Sequence, residues 1–247
     1  MCIVYFFNLF LLFLKSVKMH PLFFHLTQLI YPTICQSCKE KIYGAEYFLC
    51  LNCTKSLPLV GDYHQNNPTE KIFWGRFPFG FAYSYLYFQK DNITQHILHG
   101  LKYQSKKEMG EWLGYQLGKQ LAEIPMAIDD NILLPVPLSA KKIAWRGYNQ
   151  SEVIAEGISK ITKIPIAHNN LLRIKNTETQ TRKNRLERYT NMADAFEIGN
   201  TAAIEGKQII LVDDVITTGA TLESCALTLL KIPKVKVSVL CGAIATQ

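Results

Sequence analysis

The chain has no internal repeat, no low-complexity segment and no long apolar run. Its longest apolar stretch, residues 1–14, is shorter than the about 20 residues that a membrane-spanning helix needs. The stretch also lacks the basic region and the small-residue cleavage site of a secretory signal. We therefore expect no stable membrane insertion, and a composition with 48% apolar and 19% charged residues is that of an ordinary globular protein.

Cysteine is scarce as well. Of seven cysteines in 247 residues, four form two close pairs and three are scattered. This distribution does not resemble the framework of a secreted, disulfide-rich protein. We therefore expect the protein to be cytoplasmic.

Acidic residues are outnumbered by basic ones, 20 to 27, which gives a formal net charge of +7. Such an excess suits a phosphate-bearing partner, either a nucleotide or a nucleic acid, although a merely soluble basic protein fits the charge equally well. Residues 1–18 form an apolar extension, and we expect Met19 to be the true start of translation. Removing the extension takes away two lysines, which leaves a basic excess of +5.

The remaining residues divide into three regions: a cysteine-paired region at 19–58, a linker with a strand and helices at 59–125, and an α/β domain at 126–247. In the α/β domain, strands are predicted at 131–137, 207–213 and 236–245, and helices at 149–160 and 220–231. The strands are continuous apolar runs, as expected when helices cover both faces of a parallel sheet.

Local signals predict how some helices pack and begin. A helical pattern covers residues 92–121, and glycines at a four-residue spacing within it indicate close helix packing: Gly110, Gly114 and Gly118. Asn149 and Glu152 have the spacing of a capping box. The three tryptophans are expected to pack in or against the core rather than to serve as stacking platforms: Trp74, Trp112 and Trp145.

Two adjacent carboxylates, Asp213 and Asp214, end a predicted strand in the stretch IILVDDVITTGAT at 209–221. Ligands of open α/β sheets bind beyond the carboxyl ends of the strands. The backbone N–H groups of TTGAT and the following helix can bind a phosphate, and Gly219 permits a tight turn. The carboxylates can accept hydrogen bonds from two ribose hydroxyls. The alternative is an ordinary strand-to-helix turn.

This stretch resembles the phosphoribosyl-pyrophosphate (PRPP) signature of type I phosphoribosyltransferases. The segment LLPVPLSAKKIAWRGYNQSEVIA at 133–155 resembles a signature of the ComF family, and the resemblance covers about residues 20–247. It implies a type I phosphoribosyltransferase fold with an amino-terminal zinc finger, PRPP as ligand and Mg²⁺ bound with its phosphates. It assigns catalysis to Asp213 and Asp214, and PRPP binding to Thr217, Thr218, Gly219, Ala220 and Thr221.

Two basic segments are further candidates. Lys141, Lys142 and Arg146 follow the first predicted strand of the α/β domain, where the resemblance implies a pyrophosphate-binding loop. The alternative for any one lysine is a solvated basic loop. For the polar segment at 173–196 the resemblance implies a mobile flap, with candidate residues Gln180, Arg182 and Arg185. A basic loop that contacts nucleic-acid phosphates is the alternative.

The cysteine pairs have the spacing C-x₂-C-x₁₁-C-x₂-C, which suits four thiolate ligands of a structural zinc ion. The predicted ligands are Cys35, Cys38, Cys50 and Cys53. Disulfides are the alternative, and a reducing compartment disfavours them.

The resemblance leaves two functions open. The chain is predicted to be an enzyme that transfers phosphoribosyl from PRPP to a nitrogen acceptor, although no motif encodes the acceptor or a catalytic base. The ComF family is associated with natural competence, so the alternative is a non-catalytic PRPP sensor or competence factor. Its partners would be single-stranded DNA or a competence helicase, and a homo-oligomer is compatible with either function.

Overall fold

The computed structural model describes residues 32–42, 48–61, 67–124, 130–174 and 195–246. The chain divides into two compact units, Met1–Ser56 and Leu57–Gln247. The apolar run at 1–18 and the flap candidates Gln180, Arg182 and Arg185 lie outside the described residues. The described part of the first unit contains an antiparallel strand pair and a short helix: β1 (Thr33–Ile34), β2 (Lys41–Ile42) and α1 (Leu51–Lys55).

The second unit alternates helices and strands. In chain order these are α2 (Pro68–Phe73), β3 (Ala82–Phe88), α3 (Ile93–Tyr103), α4 (Lys107–Ala122), β4 (Asn131–Pro135), α5 (Ala140–Arg146), α6 (Gln150–Thr162), β5 (Leu171–Arg173), β6 (Phe196–Ile198), β7 (Gln208–Ile216), α7 (Ala220–Leu229) and β8 (Lys236–Ala245). Within the described ranges, none of these helices is both long and apolar enough to cross a membrane.

The central sheet has the strand order β3-β8-β7-β4, and every neighbouring pair is parallel. A separate antiparallel pair is formed by β5 and β6. The predicted α/β class with a parallel sheet is confirmed. Strand β7 differs from its predicted bounds, because pairing with β8 continues through Val215 and Ile216 and carries the strand past the two aspartates.

Helices pack on the sheet through a large apolar core and one close helix contact. The core joins β7, β8 and α7, with Phe73 and Phe77 packed beside them. Helices α4 and α6 meet at Gly114 and Gly157, where a Cβ on Gly157 would lie 2.5 Å from the carbonyl oxygen of Glu111. A side chain there would push the two backbones apart. The close packing predicted from the glycine spacing is therefore confirmed.

The helix boundaries follow local capping. The predicted helix at 92–121 is two helices, separated at Ser105, whose φ is 53°. Asn149 caps α6, since its side chain accepts a hydrogen bond from the backbone N–H of Ser151 at 3.1 Å. The capping box is not completed, because the Glu152 carboxylate lies 2.8 Å from Nδ1 of His168 instead.

Candidate functional site

Asp213 and Asp214 lie near the carboxyl end of β7, one of the two inner strands of the sheet. Oδ1 of Asp213 accepts hydrogen bonds from the Ser151 hydroxyl and from the backbone N–H of Asp214, both at 2.9 Å. Oδ2 of Asp214 lies 2.8 Å from the Lys102 ammonium. The second oxygen of each carboxylate has no hydrogen-bond partner among the described residues, so each acid retains one oxygen for a ligand.

The pKa of the Asp213 carboxyl is raised to about 7. Burial is the largest cause of this increase, and the negative charge of Asp214 raises the pKa further. The Asp214 N–H, the Ser151 hydroxyl and the Lys102 charge oppose the shift. Because a value near 7 lies at neutrality, ligands and solution pH can change the charge of Asp213.

The segment Thr217–Gly219 forms the turn that joins β7 to α7. Its last position, Gly219, suits only glycine. Gly219 is buried with φ of +76°, in the left-handed region. A Cβ there would lie 2.7 Å from Cγ2 of Ile72 and 2.9 Å from Cε1 of Phe73. The turn therefore packs closely against α2 at this position.

Arg76 ties the same turn to the following helix. Its guanidinium donates to the carbonyl oxygen of Thr218 at 2.7 Å and lies 3.4 Å from the carboxylate of Glu223. Among the described residues, no side chain caps the start of α7. The Ala220 N–H makes only a long 3.4 Å contact with the Thr218 hydroxyl. The first N–H groups of α7 are thus available to an anion, as at known phosphate sites.

Four basic side chains lie in the neighbourhood of Lys142 and Asp214: Lys102, Lys142, Arg146 and Arg173. The pKa of Lys142 is lowered, first by partial burial and then by the charges of Arg173, Arg146 and Lys102, while Asp214 raises it. Three other cations therefore lie close enough to Lys142 to repel its charge, and the single charge of Asp214 does not neutralise all four. The surplus of positive charge favours a multiply charged anion. Of the predicted pyrophosphate residues, Lys142 and Arg146 belong to this group, and Lys141 is an exposed neighbour on α5.

Arg146 and Gln150 add two unpaired donors to this group. Arg146 donates to the Gln150 side-chain oxygen at 2.7 Å. Nε of Arg146 and Nε2 of Gln150 are buried and have no acceptor within the described residues. A buried donor without an acceptor is costly, and an anionic ligand that reaches these groups would remove that cost.

Sequence reasoning missed several site residues. Lys102 and Arg76 lie in no motif, because their roles arise from contacts across 112 and 142 positions of chain, with Asp214 and Thr218 respectively. Ser151 lies within the stretch that carries the ComF resemblance. Its position near the start of the helix capped by Asn149 is the only sequence feature that could have indicated its contact with Asp213. The expectation for the tryptophans is wrong at two positions, since Trp74 and Trp145 are 63% and 67% exposed.

The four paired cysteines form one cluster in the first unit, with all sulfur atoms within 4.8 Å of one another. Sγ of Cys38 and Cys50 are 3.6 Å apart, too far for a disulfide, and all four cysteines are free. Tetrahedral zinc with bonds of about 2.3 Å separates its sulfurs by about 3.8 Å, which this cluster matches. Burial raises the pKa of Cys35, but N–H donors of Cys50, Cys38 and Ser37 outweigh it and lower the pKa to about 6. The cluster therefore fits a structural zinc ion.

Comparison with known proteins finds competence proteins and DNA utilization proteins among the relatives. Competence protein ComFC of Bacillus subtilis (strain 168) is 39% identical over 100 residues, covering 40% of this chain and 38% of that protein. Competence protein F of Haemophilus influenzae is 35% identical over 101 residues, covering 40% and 44%. The resemblance to the ComF family is confirmed. DNA utilization protein YhgH of Escherichia coli (strain K12) is 27% identical over 149 residues, covering 59% and 64%.

The chain spans less than two thirds of the length of each of these three relatives. No family model matches it. Similar solved structures include a hypoxanthine phosphoribosyltransferase from Staphylococcus aureus, 16% identical over 55% of this chain and 62% of that chain, with a TM-score of 0.33. Another is HGPRT-ase from Leishmania tarentolae in complex with GMP, 16% identical over 54% and 66%, with a TM-score of 0.29.

Proposed function

We propose that the second unit binds PRPP and transfers its phosphoribosyl group to a nitrogen acceptor, with release of pyrophosphate. The observation that supports this proposal is that a pair of carboxylates and a phosphate-binding helix start lie together at the end of one strand. Two carboxylates with available oxygens lie in β7, and α7, whose uncapped start can bind a phosphate, begins at Ala220, six residues after Asp214. A sugar phosphate with neighbouring hydroxyls has both of the matching groups.

Each part of PRPP has a matching set of residues. The 5-phosphate binds the N–H groups and hydroxyls of residues 217–221, and the ribose hydroxyls donate to Asp213 and Asp214. Lys102 offsets the charge of Asp214, so that the acid pair does not repel the phosphates. The pyrophosphate lies on Lys142 and Arg146.

Transfer needs charge stabilisation on both sides of the breaking bond. The acceptor nitrogen forms a bond to C1 of the ribose while the bond from C1 to the pyrophosphate oxygen breaks. The carboxylates of Asp213 and Asp214 stabilise positive charge on the ring, and Lys142 and Arg146 stabilise the leaving pyrophosphate. Mg²⁺ would supply further charge neutralisation when bound with the phosphates, and the acid pair offers the oxygen ligands that it prefers.

Calorimetry with two ligands tests the binding site. The double variant Asp213→Asn with Asp214→Asn should weaken PRPP and ribose 5-phosphate by at least about tenfold, since charge-assisted hydrogen bonds contribute about 1.5–3 kcal/mol each. Inorganic phosphate should bind as well or better. Thr218→Val should weaken inorganic phosphate, and the exposed Asp130→Asn is the matched acid control. Equal losses for phosphate and ribose phosphate in the double variant would mean that the acids support the loop rather than bind the sugar.

Turnover is tested separately, by release of pyrophosphate from PRPP in a screen of nucleobases and amines. Release that depends on an acceptor and is lost in the double variant supports the transferase. Binding of PRPP without release under any acceptor contradicts it and favours a sensor.

The second candidate is a competence factor that binds single-stranded DNA, alone or with a competence helicase, without turnover. The names of the relatives favour it, since they are competence and DNA utilization proteins. The net charge of +7 and the cations near Asp214 also suit a phosphate backbone. Binding of single-stranded DNA that weakens steeply with salt supports this candidate, and absence of binding at low salt contradicts it.

A further inference from the structure

Two exposed aromatic rings stand beside the candidate site. Tyr103 ends α3 and Trp145 lies on α5, and their ring centroids are 5.4 Å apart in an edge-to-face arrangement. Tyr103 is 51% and Trp145 is 67% exposed. None of the residues of α5 is buried, so this helix presents Trp145 to solvent rather than to the core. Large aromatic side chains held apart from the core indicate a binding surface.

Arg146 completes the surface, which we call the aromatic patch: Tyr103, Trp145 and Arg146. Its guanidinium lies 5.7 Å from the Tyr103 ring and 6.0 Å from the Trp145 ring, and Gln150 holds it at 2.7 Å. Contacts within the patch therefore position two rings and one planar cation before any ligand binds. Such groups stack on planar heterocycles.

The charges around the patch favour a ligand with phosphates. Lys102 precedes Tyr103 in α3, and Lys142 lies three residues before Trp145, about one turn of α5. A free base or nucleotide is normally enclosed, with about 70–90% of its surface buried. The patch is open, as expected of a surface along which a strand passes with its phosphates on the flanking lysines.

We propose that the aromatic patch stacks an unpaired base of single-stranded DNA beside the candidate PRPP site. This inference rests on the second candidate function and gives it a place on the chain. It also puts the bound strand next to Lys102, whose ammonium contacts Asp214.

Fluorescence anisotropy of the full-length, zinc-loaded chain with two labelled oligonucleotides tests the patch. One is oligo(dT) of about 12 nucleotides, and the other is an abasic strand of the same length and charge. The wild type should bind oligo(dT) at least about fivefold more tightly than the abasic strand. Tyr103→Ala and Trp145→Ala should abolish most of that preference and leave binding of the abasic strand nearly unchanged. Trp145→Phe, which keeps a ring, should retain it.

Matched variants distinguish the loss of base stacking from the mere removal of an exposed aromatic side chain. Trp74→Ala removes another exposed tryptophan, and Tyr115→Ala removes a 42% exposed tyrosine that also lies under a cation, Lys119 at 4.7 Å. Both should keep the preference for oligo(dT). Only variants whose unfolding temperatures match that of the wild type are compared. If Trp145→Ala does not fold, the test of the patch rests on Tyr103→Ala and Trp145→Phe.

The outcomes distinguish this inference from the function on which it rests. Equal binding of the two strands by the wild type, or an unchanged preference in the Tyr103 and Trp145 variants, overturns the patch although DNA still binds. No binding of either strand overturns both the patch and the DNA-binding function, while PRPP binding is measured independently. Displacement of oligo(dT) by equimolar dTMP would overturn the assignment to a strand.

Discussion

Replacing Asp213 by Asn should change how stability depends on pH. The folded pKa of about 7 lies above the ordinary value of 3.8, so between these values the folded chain holds a proton that the unfolded chain has released. The free energy of unfolding must therefore fall as pH rises from about 4 to about 7, and the contribution of this group is constant outside that window. A difference of about three pKa units corresponds to at most about 4 kcal/mol.

Asn suits the test because it keeps the shape and the acceptor oxygen. The Ser151 hydroxyl and the Asp214 N–H can still donate to that oxygen, while the buried charge is gone. Asp213→Asn should match the wild type near pH 4 and exceed its stability by up to a few kcal/mol near pH 8. Urea unfolding across this range measures the difference. Asp130→Asn, at an exposed acid that contacts Lys207, should show a small difference that hardly varies with pH.

Ligand affinity should follow the opposite trend. A hydroxyl donates best to an ionised carboxylate, so PRPP binding to the wild type should tighten as pH rises through about 7. The reasoning is refuted if the stability difference between Asp213→Asn and the wild type is the same at about pH 5 and about pH 8. It is also refuted if the Asn variant is the less stable of the two above neutrality.

Two further predictions concern the loop and the cysteine cluster. Gly219→Ala should destabilise the chain by about 2–4 kcal/mol, from left-handed strain and overpacking against Ile72, and should weaken phosphate binding. Gly147→Ala, with φ of +80° and no atom within 4 Å of the added Cβ, should cost only about 1 kcal/mol in urea unfolding, and equal losses would contradict the packing argument. Cys50→Ser should lose zinc, measured as metal per chain, whereas Cys225→Ser should retain it.

Much of this protein could be predicted from local sequence, because the signals depend on near neighbours in the chain. Continuous apolar runs predicted three of the four strands of the parallel sheet: β4, β7 and β8. The spacing of Gly110, Gly114 and Gly118 predicted the close helix contact. Two cysteine pairs in one short segment predicted the cluster of four cysteines, since short loops keep their sulfur atoms close.

Tertiary structure alone decided the partners of the acid pair and the surroundings of the loop. Lys102 reaches Asp214 and Arg76 reaches Thr218 only because the sheet brings distant segments to the same edge. The shift in Asp213 depends on burial, which no single segment encodes. Trp145 stands exposed because α5 lies outside the core, although tryptophan usually packs inside. Local sequence determines which elements form and which groups they carry, whereas charge, burial and exposure depend on every element packed around them.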